Sequence, residues 1–264
     1  MDTAELQIVD TETKHFPPIE AGALIARLAE TEADIDAAQA LRYRVFYGEM
    51  GAVPSAENLA LLVISRERAD RPGGVVVTYR LLRRSVAENH DGFYTTGEYE
   101  ISPLLKMDGE ILELGRSCVD IDHRGRSTMQ LLWQAIAAYV RIHDIRLMFG
   151  CASIPGADPD ELSETLSYLY HCHLAPESLR PRALPSRHVD MNMLPRDALD
   201  ERKALKALPP LIKGYLRVGG FIGDGAVVDP QFNTTDVSVI VKTDLITEKY
   251  SRHYERSAHW SVAR

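Results

Sequence analysis

At 264 residues, with 45% apolar and 26% charged side chains, the chain is long enough to bury a core and too apolar to be disordered as a whole. It holds no run of about 18 apolar residues, which excludes a transmembrane helix. A net charge of −8 excludes a global basic footprint for nucleic acid.

Residues 1–22 read as an N-terminal extension; from Met1 to Glu12 it is polar and acidic, without the basic and apolar regions of a signal peptide. Residues 23–29 predict a strand. Thr31 and Asp34 have the spacing of a capping box, and Ile35, Ala38, Leu41, Val45 and Phe46 recur at helical spacing, so a helix is expected over about 32–47, ended by Gly51 and Pro54. Two strands, 59–65 and 75–82, flank the Pro72-Gly73-Gly74 turn and are placed to pair antiparallel. A loop-rich stretch follows, then a third strand over 111–119, a polar turn over 120–128, and a helix over about 127–142 carrying Met129, Leu132, Trp133, Ile136 and Tyr139. Residues 146–151 predict a strand. A helix is expected from Pro159, in its first turn, to about Cys172. Residues 174–198 read as a proline-rich insert or lid, 199–217 as a helix interrupted near Pro209-Pro210, and 221–228 and 236–242 as closing strands. This order predicts one α/β domain over 23–249: a central mixed β-sheet flanked by helices, with a C-terminal elaboration and a polar tail over 250–264.

Three features of this order bear on chemistry. A buried strand runs into a turn where Gly125 precedes a helix start, and the free backbone N–H groups there form an anion site reinforced by Arg124 and Arg126. The same strand carries Glu113 and Arg116 among apolar neighbours. Strand alternation puts Glu113, Gly115 and Ser117 on one face and Arg116 on the other unless a bulge intervenes. Glu113 reads either as a general base for a substrate ammonium or as half of a buried Glu–Arg pair. Finally, the arginine clusters at 66, 68 and 71, at 80, 83 and 84, at 124 and 126, and at 180, 182 and 187 are either solvated surface or a local patch for an acidic partner. The three cysteines, Cys118, Cys151 and Cys172, lack C-x-x-C spacing and point to reduced thiols in a cytoplasm. No metal site is expected, since adjacent residues of His171-Cys172-His173 point apart on a helix. Cys118 is expected to be a small core residue, not a nucleophile.

Several segments together resemble the bacterial L-ornithine Nα-acyltransferases: Leu-Arg-Tyr-Arg-Val-Phe-Tyr-Gly-Glu-Met-Gly-Ala (41–52), Thr-Tyr-Arg-Leu-Leu (78–82), Glu-Leu-Gly-Arg-Ser-Cys-Val (113–119), Arg-Gly-Arg-Ser-Thr-Met-Gln-Leu-Leu-Trp (124–133), Pro-Pro-Leu-Ile-Lys-Gly-Tyr-Leu-Arg (209–217), Gly-Asp-Gly-Ala-Val-Val-Asp (223–229) and Gln-Phe-Asn-Thr-Thr-Asp (231–236). The resemblance spans about residues 24–256 and implies the GCN5-related N-acetyltransferase (GNAT) fold, near the acyl-homoserine-lactone synthases. The element order fits that fold without singling it out. The implied reaction passes a 3-hydroxyacyl group from acyl carrier protein to the α-amine of L-ornithine, giving lyso-ornithine lipid. Its donor rides on the carrier's phosphopantetheine arm, so no separate cofactor is implied.

By the same resemblance Glu113 is the catalytic residue, and Arg42, Arg80 and Arg116 serve the amino-acid site. Pairing of Arg42 or Arg80 with Glu49 or Glu57 is the structural alternative. Val119, Arg124, Gly125, Arg126 and Ser127 are assigned to the acyl-phosphopantetheine arm. Asp224, Asp229 and Asp236 read either as turn residues or as acceptors for the ornithine side-chain ammonium, with Asp236 taken as substrate-binding. Tyr139, Tyr168 and Tyr170 are the candidate proton donors for the leaving thiol.

The chain departs from the family pattern at 53–62, where Glu57 alone is acidic, and at 122–127, where only Gly125 fits the acetyltransferase loop. A cytoplasmic enzyme is implied, and its amphiphilic product is compatible with peripheral contact at the inner membrane face. The competing readings are a lactone synthase using S-adenosylmethionine, and a non-catalytic module that binds acyl carrier or lipid.

Overall fold

The computed structural model describes residues 15–45, 60–67, 70 and 72–245. Glu49, Glu57 and the departing stretch over 53–59 lie outside the described residues, as do Gly51, Pro54 and the tail over 250–264.

The chain opens with a hairpin of β1 (Ile19–Ala21) and β2 (Leu24–Leu28), so part of the expected N-terminal extension is strand. Helix α1 (Glu32–Arg42) starts on the expected capping box. The Thr31 hydroxyl accepts from the Asp34 N–H at 3.2 Å, and the Asp34 carboxylate accepts from the Thr31 N–H at 3.1 Å. Arg27 also grips Asp34, at 2.5 and 2.9 Å, and holds its carboxyl well below the usual range. Strands β3 (Ala60–Ser65) and β4 (Val75–Arg83) pair antiparallel as expected. The loop-rich stretch contains α2 (Arg84–Ala87), a 3-10 turn (Tyr94–Gly97), β5 (Tyr99–Glu100) and α3 (Ser102–Leu105). Then follow β6 (Glu110–Val119), α4 (Arg126–Ile142) and β7 (Ile145–Pro155).

Helix α5 runs over Ser163–His173, not from Pro159. Asp158 accepts the Asp160 N–H at 3.0 Å, and the Pro159 carbonyl accepts the Leu162 N–H at 3.1 Å, so these residues are spent on a turn before the helix begins. The 174–198 segment is less of a lid than expected. It contributes β8 (Arg182–Ala183) and β9 (His188–Val189), both paired with the sheet. The interrupted helix is two helices, α6 (Glu201–Ala207) and α7 (Pro210–Arg217), divided because prolines supply no N–H to continue the first. Strands β10 (Phe221–Asp229) and β11 (Thr234–Lys242) close the fold.

The sheet order is β1-β2-β3-β4-β6-β7-β11-β10-β8-β5, with β9 alongside β10. The neighbours β6 and β7 are parallel, and α4 makes the crossover between them. Strand alternation sorts the core. Leu61, Val63, Leu112, Leu114 and Met148 pack with α4 on one face. The other face carries two separate apolar clusters. One joins Ala37, Ala38 and Leu41 of α1 to Leu62, Val75 and Cys118; the second gathers Phe93, Tyr99, Ile111, Leu147 and Phe149.

The central strands then part. Pairing of β6 with β7 stops at Glu113 and Phe149, while β6 stays on β4 to Val119 and β7 stays on β11 to Pro155. Two local features shape this wedge. At Gly150 an added Cβ would lie 2.1 Å from the Leu114 carbonyl oxygen, so only glycine lets the strands meet where they separate. Past it, β6 carries one extra residue against β4, because Arg80 faces Gly115 whereas Thr78 faces Cys118. Arg116, at φ 51°, forms this bulge. A bulge shifts side-chain parity by one, which brings Cys118 onto the α1 face instead of the α4 face.

Gly150→Ala is expected to cost at least about 1–3 kcal/mol, the usual range for overpacking. It should appear as a lowered midpoint of thermal unfolding. A variant as stable as the parent would contradict the tight crossing at Leu114.

Candidate active site

A cavity of about 590 Å³ fills the wedge. Its walls include Leu114 to Val119 of β6, Cys151 to Ser153 of β7, Arg80, Tyr94, Thr95, Arg124, Asp229 and Asp236.

Glu113 lines this cavity although it is only 1% exposed. Its carboxylate is fully engaged. Arg80 donates to Oε2 at 2.6 Å and the Tyr94 N–H to the same oxygen at 3.2 Å, while the Thr95 N–H and hydroxyl both donate to Oε1 at 2.7 Å. The buried Glu–Arg pair that the sequence offered as one alternative is therefore present, and it is built into the cavity wall. Gly115 makes it possible. A Cβ there would stand 3.0 Å from Nη2 of Arg80, on the path this side chain takes to Glu113.

Arg80 and Arg116 both lie against the ring of Tyr94, with guanidinium carbons 5.6 and 4.8 Å from its centroid. The bulge thus brings Arg116 to the same cavity as Glu113, which strict alternation would have prevented. Burial lowers the Arg80 pKa against the opposing pull of Glu113. Arg42 is different. It is 8% exposed, donates to the Thr78 hydroxyl at 2.9 Å, and is absent from the cavity wall. Burial, helped by the charges of Arg116 and Arg80, brings its pKa down to about 10.

On the donor side, Val119 and Arg124 line the cavity, and the Arg124 guanidinium donates to the Val119 carbonyl at 3.2 Å. Gly125 is the N-cap of α4 and makes no side-chain cap, so the helix start keeps its N–H groups open to an anion. Arg126 and Ser127 are exposed on its first turn and lie outside the cavity wall. Beyond β7 from β6, the wall carries Asp229 and Asp236. Asp236 is 7% exposed and accepts the Thr234 hydroxyl at 3.1 Å. Burial, then the charge of Glu98, pushes its pKa up to about 6.

The three expected tyrosines are not on the cavity wall. Tyr139 packs in the core against Phe16 and His143, Tyr168 meets His173 at 3.1 Å, and Tyr170 packs against His171. Tyr94 is the phenol that lines the cavity, and sequence reasoning passed over it because it sits in a loop with no periodicity. Cys118 is buried, with its thiol toward the Leu41 carbonyl. His171, Cys172 and His173 go to different partners, and no group among the described residues is arranged to hold a metal.

The sequence pattern of the acetyltransferase (GNAT) domain matches residues 41–134, from the end of α1 into α4, and the fold is GNAT-like. Among solved structures, an N-acyl amino acid synthase from uncultured soil microbes aligns over 86% of this chain and 93% of its own, with 8% identity and a TM-score of 0.49. Longer and stronger matches fall on curated L-ornithine N(alpha)-acyltransferases. That of Rhodobacter capsulatus is 43% identical over 87% of this chain and 94% of its own length. That of Brucella abortus is 40% identical over 90% of this chain and 91% of its own. The chain belongs to this family, and it is an acyltransferase.

The raised pKa of Asp236 has a consequence for stability. The folded chain holds this proton more tightly than the unfolded chain, so its stabilising contribution is lost as pH rises from about 4 through 6. Asp236→Asn removes the effect. The variant's unfolding free energy relative to the parent is expected to rise by about 2–3 kcal/mol between pH 4 and pH 7. A difference independent of pH would contradict the buried, uncompensated carboxylate.

Proposed function

We propose that the protein transfers a 3-hydroxyacyl group from the phosphopantetheine thioester of acyl carrier protein to the α-amino group of L-ornithine, giving lyso-ornithine lipid. The observation that carries this reading is a single cavity whose wall bears the guanidinium groups of Arg80 and Arg116 together with the buried carboxylate of Asp236. That charge pattern suits an amino acid with a cationic side chain, and family membership supports the same acceptor.

In the proposed reaction the α-amine attacks the thioester carbonyl to form a tetrahedral intermediate. Backbone N–H groups on the parted edges of β6 and β7 stabilise the oxyanion in this reading, which the end of their pairing supports. The C–S bond breaks, the amide forms, and the carrier's thiolate departs and takes a proton. No acyl-enzyme is needed. The amine proton passes to Glu113, directly or through water, which requires one of its donors to yield. The Tyr94 N–H, at 3.2 Å, is the longest of the four contacts. Arg80 and Arg116 take the α-carboxylate, and Asp236 lies at the side-chain end. The phosphopantetheine arm runs past Val119 and Arg124 to the open start of α4, with Gly125, Arg126 and Ser127 contributing. Arg42 supports the site from behind through Thr78. The enzyme acts in the cytoplasm, with peripheral contact at the membrane where its product goes. No described helix is long and apolar enough to cross a membrane.

The direct test supplies 3-hydroxyacyl carrier protein with a panel of amino acids and reads products by mass spectrometry. N-acyl-ornithine is expected to dominate, and a lactone product or no acyl transfer would overturn the reading. Glu113→Gln should lower kcat by about 10²–10⁴, the usual contribution of a positioned general base. Unchanged turnover would remove Glu113 as proton acceptor. Arg116→Gly keeps the left-handed bulge but loses the guanidinium. It should fold normally and raise the KM for ornithine at least about tenfold, and an unaltered KM would remove Arg116 from the carboxylate site. Carrier affinity should weaken with added salt, since exposed charges are screened over about 8 Å at physiological ionic strength. Salt-independent binding would contradict electrostatic docking.

A further inference from the structure

A second carboxylate stands behind the acidic end of the cavity. Glu98 follows the Tyr94–Gly97 turn and is only 2% exposed. Its Oε1 accepts the Tyr94 hydroxyl at 3.2 Å. Its Oε2 is buried with no N–H or O–H donor on it among the described residues, and the weak Cys151 thiol is the other group that bonds to Glu98. Such an atom is costly unless a proton or a cation reaches it. Glu98 is also close enough to Asp236 and to Cys151 for its charge to raise both their pKa values. The groups that ease the ionisation of Asp236 are the hydroxyls of Ser153 and Thr234.

Tyr94 connects this acidic end to the basic one. Its N–H binds Glu113, its ring lies against Arg80 and Arg116, and its hydroxyl reaches Glu98. The guanidinium groups over the ring and the Glu98 carboxylate at its hydroxyl therefore flank one tyrosine side chain. A carboxylate and an ammonium joined by a short aliphatic chain match that separation.

We propose that Tyr94 is the gauge along which a diamino acid is measured, and that Glu98 with Asp236 forms the subsite for its side-chain ammonium. This rests on the amino-acid acceptor proposed above and names what discriminates among acceptors. Asp236 lies on the cavity wall and meets the ammonium. Glu98, behind it, adds the negative field that makes an uncharged side chain a poor substitute. An ammonium carries three donors and no acceptor, which suits two carboxylates flanked by the Ser153 hydroxyl.

The test compares ornithine with norvaline, which lacks the side-chain amine, and lysine, which is one methylene longer. It uses the full chain and its Glu98→Gln variant, in which the amide carbonyl still accepts from Tyr94. The parent is expected to favour ornithine over norvaline at least a hundredfold in kcat/KM, with lysine between them. Glu98→Gln should lower kcat/KM for ornithine at least tenfold and change norvaline less than twofold. An ornithine-to-norvaline ratio that Glu98→Gln leaves intact would overturn the proposal while leaving the acyltransfer reading in place. Absence of any acylated amine would instead strike at that earlier reading. Calorimetric binding to the parent decides the matter even if the variant fails to fold. Ornithine affinity should fall as pH drops below about 6 and Asp236 takes up its proton, with norvaline affinity flat. Equal affinities for the two, or parallel pH dependences, would overturn the proposal.

Discussion

A carboxylate at the centre of a β-sheet has to be held by donors that do not come from the sheet's own ladder. Glu113 meets this constraint with one guanidinium, two backbone N–H groups and one hydroxyl. Removing a partner from such a pair strands a buried charge at a cost of about 3–5 kcal/mol. The arrangement therefore ties three separate parts of the chain together: β4 through Arg80, β6 through Glu113, and the Tyr94–Thr95 turn. It sits on the face of the sheet that carries the two smaller apolar clusters.

The wedge beside Glu113 has two local causes. Gly150 allows β7 to pass against the Leu114 carbonyl at the last point of contact, and the bulge at Arg116 carries β6 away from it. A non-glycine residue at positive φ costs of order 1–3 kcal/mol. Here it turns a guanidinium toward the cavity that regular pleating would have sent to the opposite face. The parted strands leave backbone groups facing the cavity rather than each other, the resource an acyl transfer needs when charge builds on oxygen. The fold thus lines one cavity with guanidinium groups and the parted strand edges, and Arg124 on its wall leads to the start of α4.

Legibility in the sequence followed locality. The capping box at Thr31 and Asp34, the turn at 72–74 and the strand over 111–119 were readable, because each depends on residues a few positions apart. The motifs at 78–82, 113–119 and 124–133 identified the family that whole-chain similarity shows. Turn chemistry at Asp158 and the strands within 174–198 escaped, the first to side-chain competition and the second to pairings with distant β10. The direction of Arg116 depended on a bulge that alternation alone denies. Tyr94, Thr95 and Glu98 were missed because they are brought to Glu113 and Asp236 by tertiary contact, from a stretch with no pattern of its own. The expected tyrosines were chosen for being tyrosines on helices, and those helices turn them into the core or toward histidines.

The central claim is that one charged cavity, fixed by Glu113, receives the amino acid and the thioester from different sides. A crystal structure with L-ornithine bound tests it most directly. The account requires the α-carboxylate on Arg80 and Arg116, the side-chain nitrogen at Asp236, and the α-amine turned to the gap between β6 and β7, with Glu113 still gripping Arg80. Ornithine bound outside this wedge, or reversed within it, would contradict the account.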